Sequence, residues 1–476
     1  MPKLRFLFPL LLIFPFLGFT PNAYTKFDEN PPRYDAIHKM PDANVILITI
    51  CSLRPDHMGS YGYLRNTTPN IDQLAKEGII FENALSQAPY TSPSIYTLLT
   101  SRNISKHEQD DKTGVIRYAS VPEILKKNGY LTGAIIAKSG FRYLSKHLDH
   151  FNTTNVDHWS TPAEETTEKA INWVEEHKEK KFFLWLHYWD VHFNYIPPRP
   201  YNEMYSSDYQ GFLREHIDIR DIRDNASKLT ENDIAYIVSQ YDGEIRRVDA
   251  VLGKLFRRLK ELGLNEKTVM IIGADHGETL GERGYFGHSL YLYDELLRAP
   301  LIVVNPASDL KNIKITNQVR NLDIAPTILD ALDIPQPESF EGTSLYEVIS
   351  SGLNTPAFSR TYPPFENTPM RAFSSRGYKL ITPRKQKVTK DNPSFWNFTR
   401  KSKIAKVNPP ITRSERSIKL YDLRKDPNEQ VNIADENPEM VQNLKEEIKA
   451  MFTDGKTDGQ ADKKKNNKGS KKGGKK

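Results

Sequence analysis

Thr91-Ser92-Pro93-Ser94-Ile95, closed by Thr100-Ser101-Arg102, places a hydroxyl where a helix should begin. A threonine hydroxyl becomes a usable nucleophile when a base or a metal takes its proton. The ordinary reading of Thr91 is a helix N-cap before a first turn that contains Pro93. Far away in the sequence, Cys51, Asp275 and His276 supply a thiol, a carboxylate and an imidazole.

These residues need a frame. Val45 to Ile50 is a continuous apolar, β-branched run, as a strand buried on both faces requires. Phe182 to Leu186, Val269 to Ile272 and Pro300 to Val304 read the same way. Between them lie helical patterns over Thr161 to Lys178 and Glu231 to Leu262. In the second, Ile234, Ile237, Val238, Tyr241, Ile245, Val248, Val251, Leu252, Leu255 and Leu259 hold a 3.6-residue stripe. This helix is expected to cover the sheet and to carry no chemistry. Strands alternating with helices predict an α/β fold: a mostly parallel sheet with helices on both faces. Such sheets build their sites at the carboxyl ends of strands. Cys51, the stretch His187 to His192, and Asp275-His276 all fall just past predicted strand ends.

Beyond about residue 355 the pattern shortens to β-like pieces, Tyr378 to Ile381 and Lys419 to Leu423, and a last helix from Pro438 to Phe452. This predicts a smaller α+β C-terminal region. The expected organisation is a signal peptide over 1–23, an α/β domain over 43–354, an α+β subdomain over 355–453 and a Lys/Gly-rich disordered tail over 454–476. The tail cannot bury apolar surface.

Bulk composition narrows the function classes. The chain has 476 residues, 38% hydrophobic and 26% charged, and can bury a large core. Its formal charge is +6, but Lys463 to Lys476 holds eight lysines and no acid. Subtracting those eight leaves −2, so the body is mildly acidic and no nucleic-acid partner is expected. Lys3 and Arg5 precede an apolar run from Phe6 to Phe19. That run is short of the roughly 20 residues a spanning helix needs and fits an export signal cleaved after Ala23. The expected location is therefore periplasmic, cell-envelope or secreted, with no integral membrane anchor after cleavage. Cys51 is the sole cysteine, so no internal disulfide forms.

Nearly the whole mature chain, Ala43 to Phe452, resembles the sulfatase family of the alkaline phosphatase superfamily. Asn44 to Ile50 with Leu53-Arg54-Pro55-Asp56-His57 is similar to its first strand and metal loop. Tyr61-Gly62-Tyr63, Thr68-Pro69-Asn70-Ile71-Asp72, Gly78 to Ala84 and the Thr91 segment follow in family order. His187-Tyr188-Trp189-Asp190-Val191-His192, Tyr241-Asp242-Gly243-Glu244, Ala274-Asp275-His276-Gly277-Glu278 and Gly287-His288 continue it. Val319 to Leu329, Leu420-Tyr421-Asp422-Leu423 and Asp426-Pro427-Asn428-Glu429 complete the set.

The resemblance implies sulfate or phosphate ester chemistry, on a glycan in some members, with Ca²⁺ or Mg²⁺ bound. Asp275 and His276 match a family ligand pair. His192 and His288 match residues that contact the ester or its leaving group, while His187 and Asp190 are weaker candidates. Lys138 lies near a substrate-binding lysine, with spacing off by one residue. Three positions depart: Thr91 replaces the cysteine that matures to formylglycine, and Cys51 replaces a ligand aspartate. Ile95 replaces the family arginine. Cys51 is then a small buried residue in a site that holds no metal, a thiolate in a Cys51/Asp275/His276 zinc site, or a gap filled by Asp56. Arg320 and Asp323 read as structural. Two functions follow: a Thr91-based, metal-dependent ester hydrolase or transferase, or an inactive relative that binds a sulfated or phosphorylated glycan or a protein.

Overall fold

A computed structural model of the chain describes residues 27–35, 38–103, 118–137, 139–154, 163–206, 208–214, 218–361, 370–383 and 417–453. The proposed leader, Lys138, Thr161-Pro162 and the lysine tail lie outside them.

The apolar runs form strands because both of their faces can be buried. Strand β1 (Asn44–Ile50) is buried along its whole length. Its side chains alternate, with Ile46, Ile48 and Ile50 entering one apolar core and Val45 and Leu47 the other. The chain continues through β2 (Ile79–Leu85), β3 (Leu131–Ala137), β4 (His150–Thr154), β5 (Phe182–Tyr188) and β6 (Thr268–Ala274). A hairpin of β7 (Thr279–Leu280) and β8 (Phe286–Gly287) precedes β9 (Arg298–Val304) and β10 (Ile313–Arg320). The large sheet has the order β10-β2-β9-β6-β1-β5-β3-β4.

The sheet is mostly parallel, as expected. The exception is β9, the Pro300 to Val304 run, which lies antiparallel to both β2 and β6. An apolar run buried on both faces carries no mark of its direction, so the sequence pattern could not show this.

Helices cover both faces. The long helix Glu231–Glu261 and the helix Ala163–His177 pack with α1 (Pro69–Ala75) on one side. The helix α2 (Thr91–Thr100) packs on the other. The long helix starts with a capping box, Thr230 and Asp233 satisfying each other's backbone N–H groups.

The C-terminal region is an antiparallel sheet of β11 (Ala357–Arg360), β12 (Met370–Ser375), β13 (Tyr378–Pro383) and β14 (Lys419–Asp422), in that order. The helix Pro438–Thr453 packs on it through Val441, Leu444 and Ile448. No described helix is long and apolar enough to cross a membrane.

Register decides what meets at the site. Strands β5 and β6 flank β1 in parallel, pairing Ile50 with Tyr188 and with Ala274. Cys51 and Asp275 therefore leave the sheet side by side. His187, paired with Thr49, stands two rows earlier. It lies within β5, not past its end as the apolar pattern suggested. The period of two puts Thr49, Cys51, His187 and Asp275 on the same face, the one that α2 covers.

Candidate active site

Thr91 is the first residue of α2. The N-cap is Tyr90, in extended conformation, and it makes no side-chain cap. The N-cap reading of Thr91 is thus corrected by one position, which leaves its hydroxyl for another partner. That partner is His276, whose Nε2 lies 3.2 Å from Thr91 Oγ1. His276 Nδ1 is 2.7 Å from the carbonyl of Gly277. A carbonyl only accepts, so Nδ1 carries a proton, and in the neutral ring Nε2 is left to accept from the Thr91 hydroxyl.

Asp275 is fixed by backbone. Its Oδ1 accepts from the N–H groups of Ser52 at 3.1 Å and His276 at 2.9 Å. Burial opposes its ionisation, but the neighbouring His276 and His187 and these two N–H groups outweigh burial. They hold its carboxyl below the usual range. Its carbonyl is approached by Ser86 Oγ at 2.6 Å and accepts from Ser94 Oγ. Ser94 thus ties the Thr91 helix to the Asp275 loop. Ile95 is fully buried in the core beneath α2.

Cys51 is fully buried, with Sγ 3.5 Å from Asp275 Oδ2 and 3.4 Å from Thr91 Oγ1. Burial, and then the charge of Asp275, push its thiol well up. Asp56 does not take its place. Arg54 holds both Asp56 oxygens, at 2.9 and 2.7 Å, which closes that alternative.

The histidines converge. The rings of His276 and His288 lie 4.5 Å apart, and those of His288 and His192 4.8 Å. His192 stacks on Trp189 and donates from Nδ1 to the carbonyl of Phe193. His288 Nδ1 is 3.0 Å from Glu278 Oε1. Burial lifts the Glu278 carboxyl to about 8. At neutral pH the protonated acid donates to Nδ1, which leaves the His288 proton on Nε2.

Asp190 Oδ1 accepts from the Ala163 N–H at the start of its helix, a positioning contact outside this cluster. Arg320 and Asp323 pair through two hydrogen bonds, at 3.1 and 2.7 Å, and are structural.

Two groups, Tyr241 and Glu278, were missed in sequence, and a third, His187, was read only as a weaker candidate. Tyr241, on the helix expected to carry no chemistry, donates from its hydroxyl to the Ser52 carbonyl and accepts from the Arg54 N–H. It pins the loop that presents Cys51. Glu278, inside the quoted Asp275 motif, is the partner of His288. His187 joins Cys51 and Asp275, their ligating atoms all lying within 4.8 Å of one another. His276 instead contacts Asp275 Oδ2, at 3.4 Å, and Thr91.

The donor set does not fit the hard cation that the family resemblance implies. Ca²⁺ takes about 6–8 oxygen ligands and Mg²⁺ about six. Among the clustered groups only Asp275 is a carboxylate, beside sulfur and imidazole nitrogen.

Comparison with known proteins agrees with the fold. The sequence profile of the Sulfatase family matches residues 43–334. The profile named N-sulphoglucosamine sulphohydrolase, C-terminal, matches residues 281–388. Arylsulfatase K of Bos taurus is 24% identical, covering 88% of this chain and 83% of its own. The N-acetylglucosamine-6-O-sulfatase of Bacteroides thetaiotaomicron is also 24% identical, over 66% of this chain and 72% of its own. The phosphonate monoester hydrolase of Agrobacterium radiobacter superposes with a TM-score of 0.67 at 18% identity, covering 86% and 95% of the two chains. A structure solved with its substrate D-glucosamine-2-N,6-O-disulfate has the same TM-score at 20% identity, covering 88% and 99%. The family profile spans more than half of the chain, including the strands that build this cluster: the protein is a member of the sulfatase family.

Proposed function

We propose that this protein cleaves a sulfate or phosphate ester, of a glycan by analogy with its relatives, using Thr91 as an unmodified alcohol nucleophile. The observation that carries this reading is the 3.2 Å contact from Thr91 Oγ1 to His276 Nε2, with Nδ1 tied to the Gly277 carbonyl. This is a hydroxyl paired with an oriented base.

In this mechanism His276 takes the Thr91 proton as Oγ1 attacks sulfur or phosphorus. The N-terminus of α2 favours the negative charge that gathers there. His288, its Nε2 proton set by Glu278, gives a proton to the departing oxygen. His192, fixed by Trp189 and Phe193, lines the same side. The threonine ester then passes to water or to another acceptor hydroxyl. Ionised Asp275 sits beside this anionic path, so a divalent cation partnering Asp275 belongs to the reading. Export is also part of the proposal, supported by the composition of residues 1–23 alone.

A second reading, binding without turnover, is favoured by one observation: the buried thiol of Cys51 stands where the resemblance implies a ligand carboxylate. Aryl sulfates, aryl phosphates, a phosphate diester and a phosphonate monoester, assayed with the purified protein, discriminate the two. Turnover of at least one that disappears in Thr91→Ala is expected. Tight binding of a sulfated glycan with no turnover of any ester would establish the second reading.

A further inference from the structure

The disagreement between the donor set and a hard cation has a chemical answer. Cys51, His187 and Asp275 are each fully buried, and their ligating atoms lie within 4.8 Å of one another. Zn–S of about 2.3 Å and Zn–O of about 2.0 Å at a tetrahedral angle put the two donor atoms roughly 3.5 Å apart. Cys51 Sγ and Asp275 Oδ2 are 3.5 Å apart. The third donor is oriented from behind. His187 Nδ1 lies 2.8 Å from Thr49 Oγ1, so Nε2 is the nitrogen placed to ligate. Thr49 Oγ1 in turn accepts from Trp185 Nε1–H at 3.0 Å. An outer partner on the far nitrogen is what metal-binding histidines use to fix their rings.

The surroundings suit a borderline metal. Phe141, Trp185 and Trp189 pack around the His187 ring. Ala137 and Trp189 pack against Cys51. This apolar wall supplies no further oxygens of the kind that Ca²⁺ needs. Three protein ligands with one open position is the arrangement of a catalytic zinc, not of a closed structural one. The open side is that of Thr91, whose Oγ1 is 3.4 Å from Cys51 Sγ.

We propose that Cys51, His187 and Asp275 form a three-ligand zinc site in place of the family's hard-cation site, its fourth position facing Thr91. On binding, the thiol proton of Cys51 is released to solvent and the thiolate takes the metal. The site stands whether or not Thr91 turns over an ester.

Cobalt(II) tests it without an activity assay. The full-length protein, stripped with a chelator, is titrated with Co²⁺ and read by near-ultraviolet and visible absorbance. Expected are a thiolate-to-cobalt charge-transfer band and intense tetrahedral visible bands, saturating at one equivalent and displaced by one equivalent of Zn²⁺. Cys51→Ser should abolish the charge-transfer band. His187→Ala should weaken metal binding at least tenfold, and Cys51→Asp should shift preference from Zn²⁺ toward Mg²⁺ or Ca²⁺. Melting curves of the metal-free variants, matched to the metal-free parent, show that they fold. If His187→Ala fails to fold, His187→Gln takes its place. Absence of the charge-transfer band in the parent overturns the proposal. So does Ca²⁺ or Mg²⁺ competing with Co²⁺ while Cys51→Ser binds as the parent does.

Discussion

At single residues, the site depends on proton positions set by backbone carbonyls and buried carboxyls. His276→Ala should lower kcat/KM on whichever ester is turned over by about 100- to 10,000-fold, the usual weight of one acid–base group. Steady-state kinetics check this, with Thr91→Ser retaining activity because the hydroxyl stays. Glu278 gives a pH signature. Burial raises its carboxyl from 4.5 to about 8, so the folded chain holds this proton more tightly than the unfolded one. Its stabilising contribution is full below about 4.5 and is lost as pH rises through about 8. Melting temperature should fall across that window, and Glu278→Gln should flatten that part of the curve. Cys51, Asp275 and His276 were legible in sequence as residues just past strand ends, and Thr91 as a helix start in family motif order. His187 as a neighbour of Cys51 was not. Its direction follows from pairing with Thr49, and register between strands distant in sequence is not written in either strand alone.

At the scale of elements, the site is held by a helix that the apolar stripe marked only as a cover. Tyr241 lies within that stripe, yet its hydroxyl serves both sides of the loop after β1. Tyr241→Phe keeps the ring and leaves the Ser52 carbonyl and Arg54 N–H without this partner. It should cost about 1–3 kcal/mol in chemical denaturation. A period of 3.6 reports which side of a helix is buried, not which buried tyrosine carries a bonded hydroxyl. The reversed strand β9 has the same origin. Its length matches that of the parallel strands β1, β5 and β6, and nothing in an apolar run marks its direction.

At the scale of the whole molecule, a buried ion cluster joins the small sheet to the large one. Lys379 of β13 is fully buried and reaches Asp294 at 2.6 Å and Glu429 at 2.8 Å. Asp294 also pairs with Arg298, at the start of β9. Lys379→Met would leave two buried carboxylates short of a cation and should destabilise the protein by about 3–5 kcal/mol. Denaturant unfolding of the full chain measures this. That the chain splits into a large α/β sheet and a smaller C-terminal sheet was legible from strand length and spacing. The cluster that couples them was not, because its bond across the two sheets joins Lys379 to Asp294, 85 positions away. In the proposed reaction Thr91 itself forms the covalent bond to the ester's sulfur or phosphorus. Acid quenching during turnover, followed by peptide mass spectrometry, tests it most directly. One sulfuryl or phosphoryl group on the Thr91 side chain, absent in Thr91→Ala, is the predicted result; undiminished turnover by Thr91→Ala, or an adduct on another residue, would contradict it.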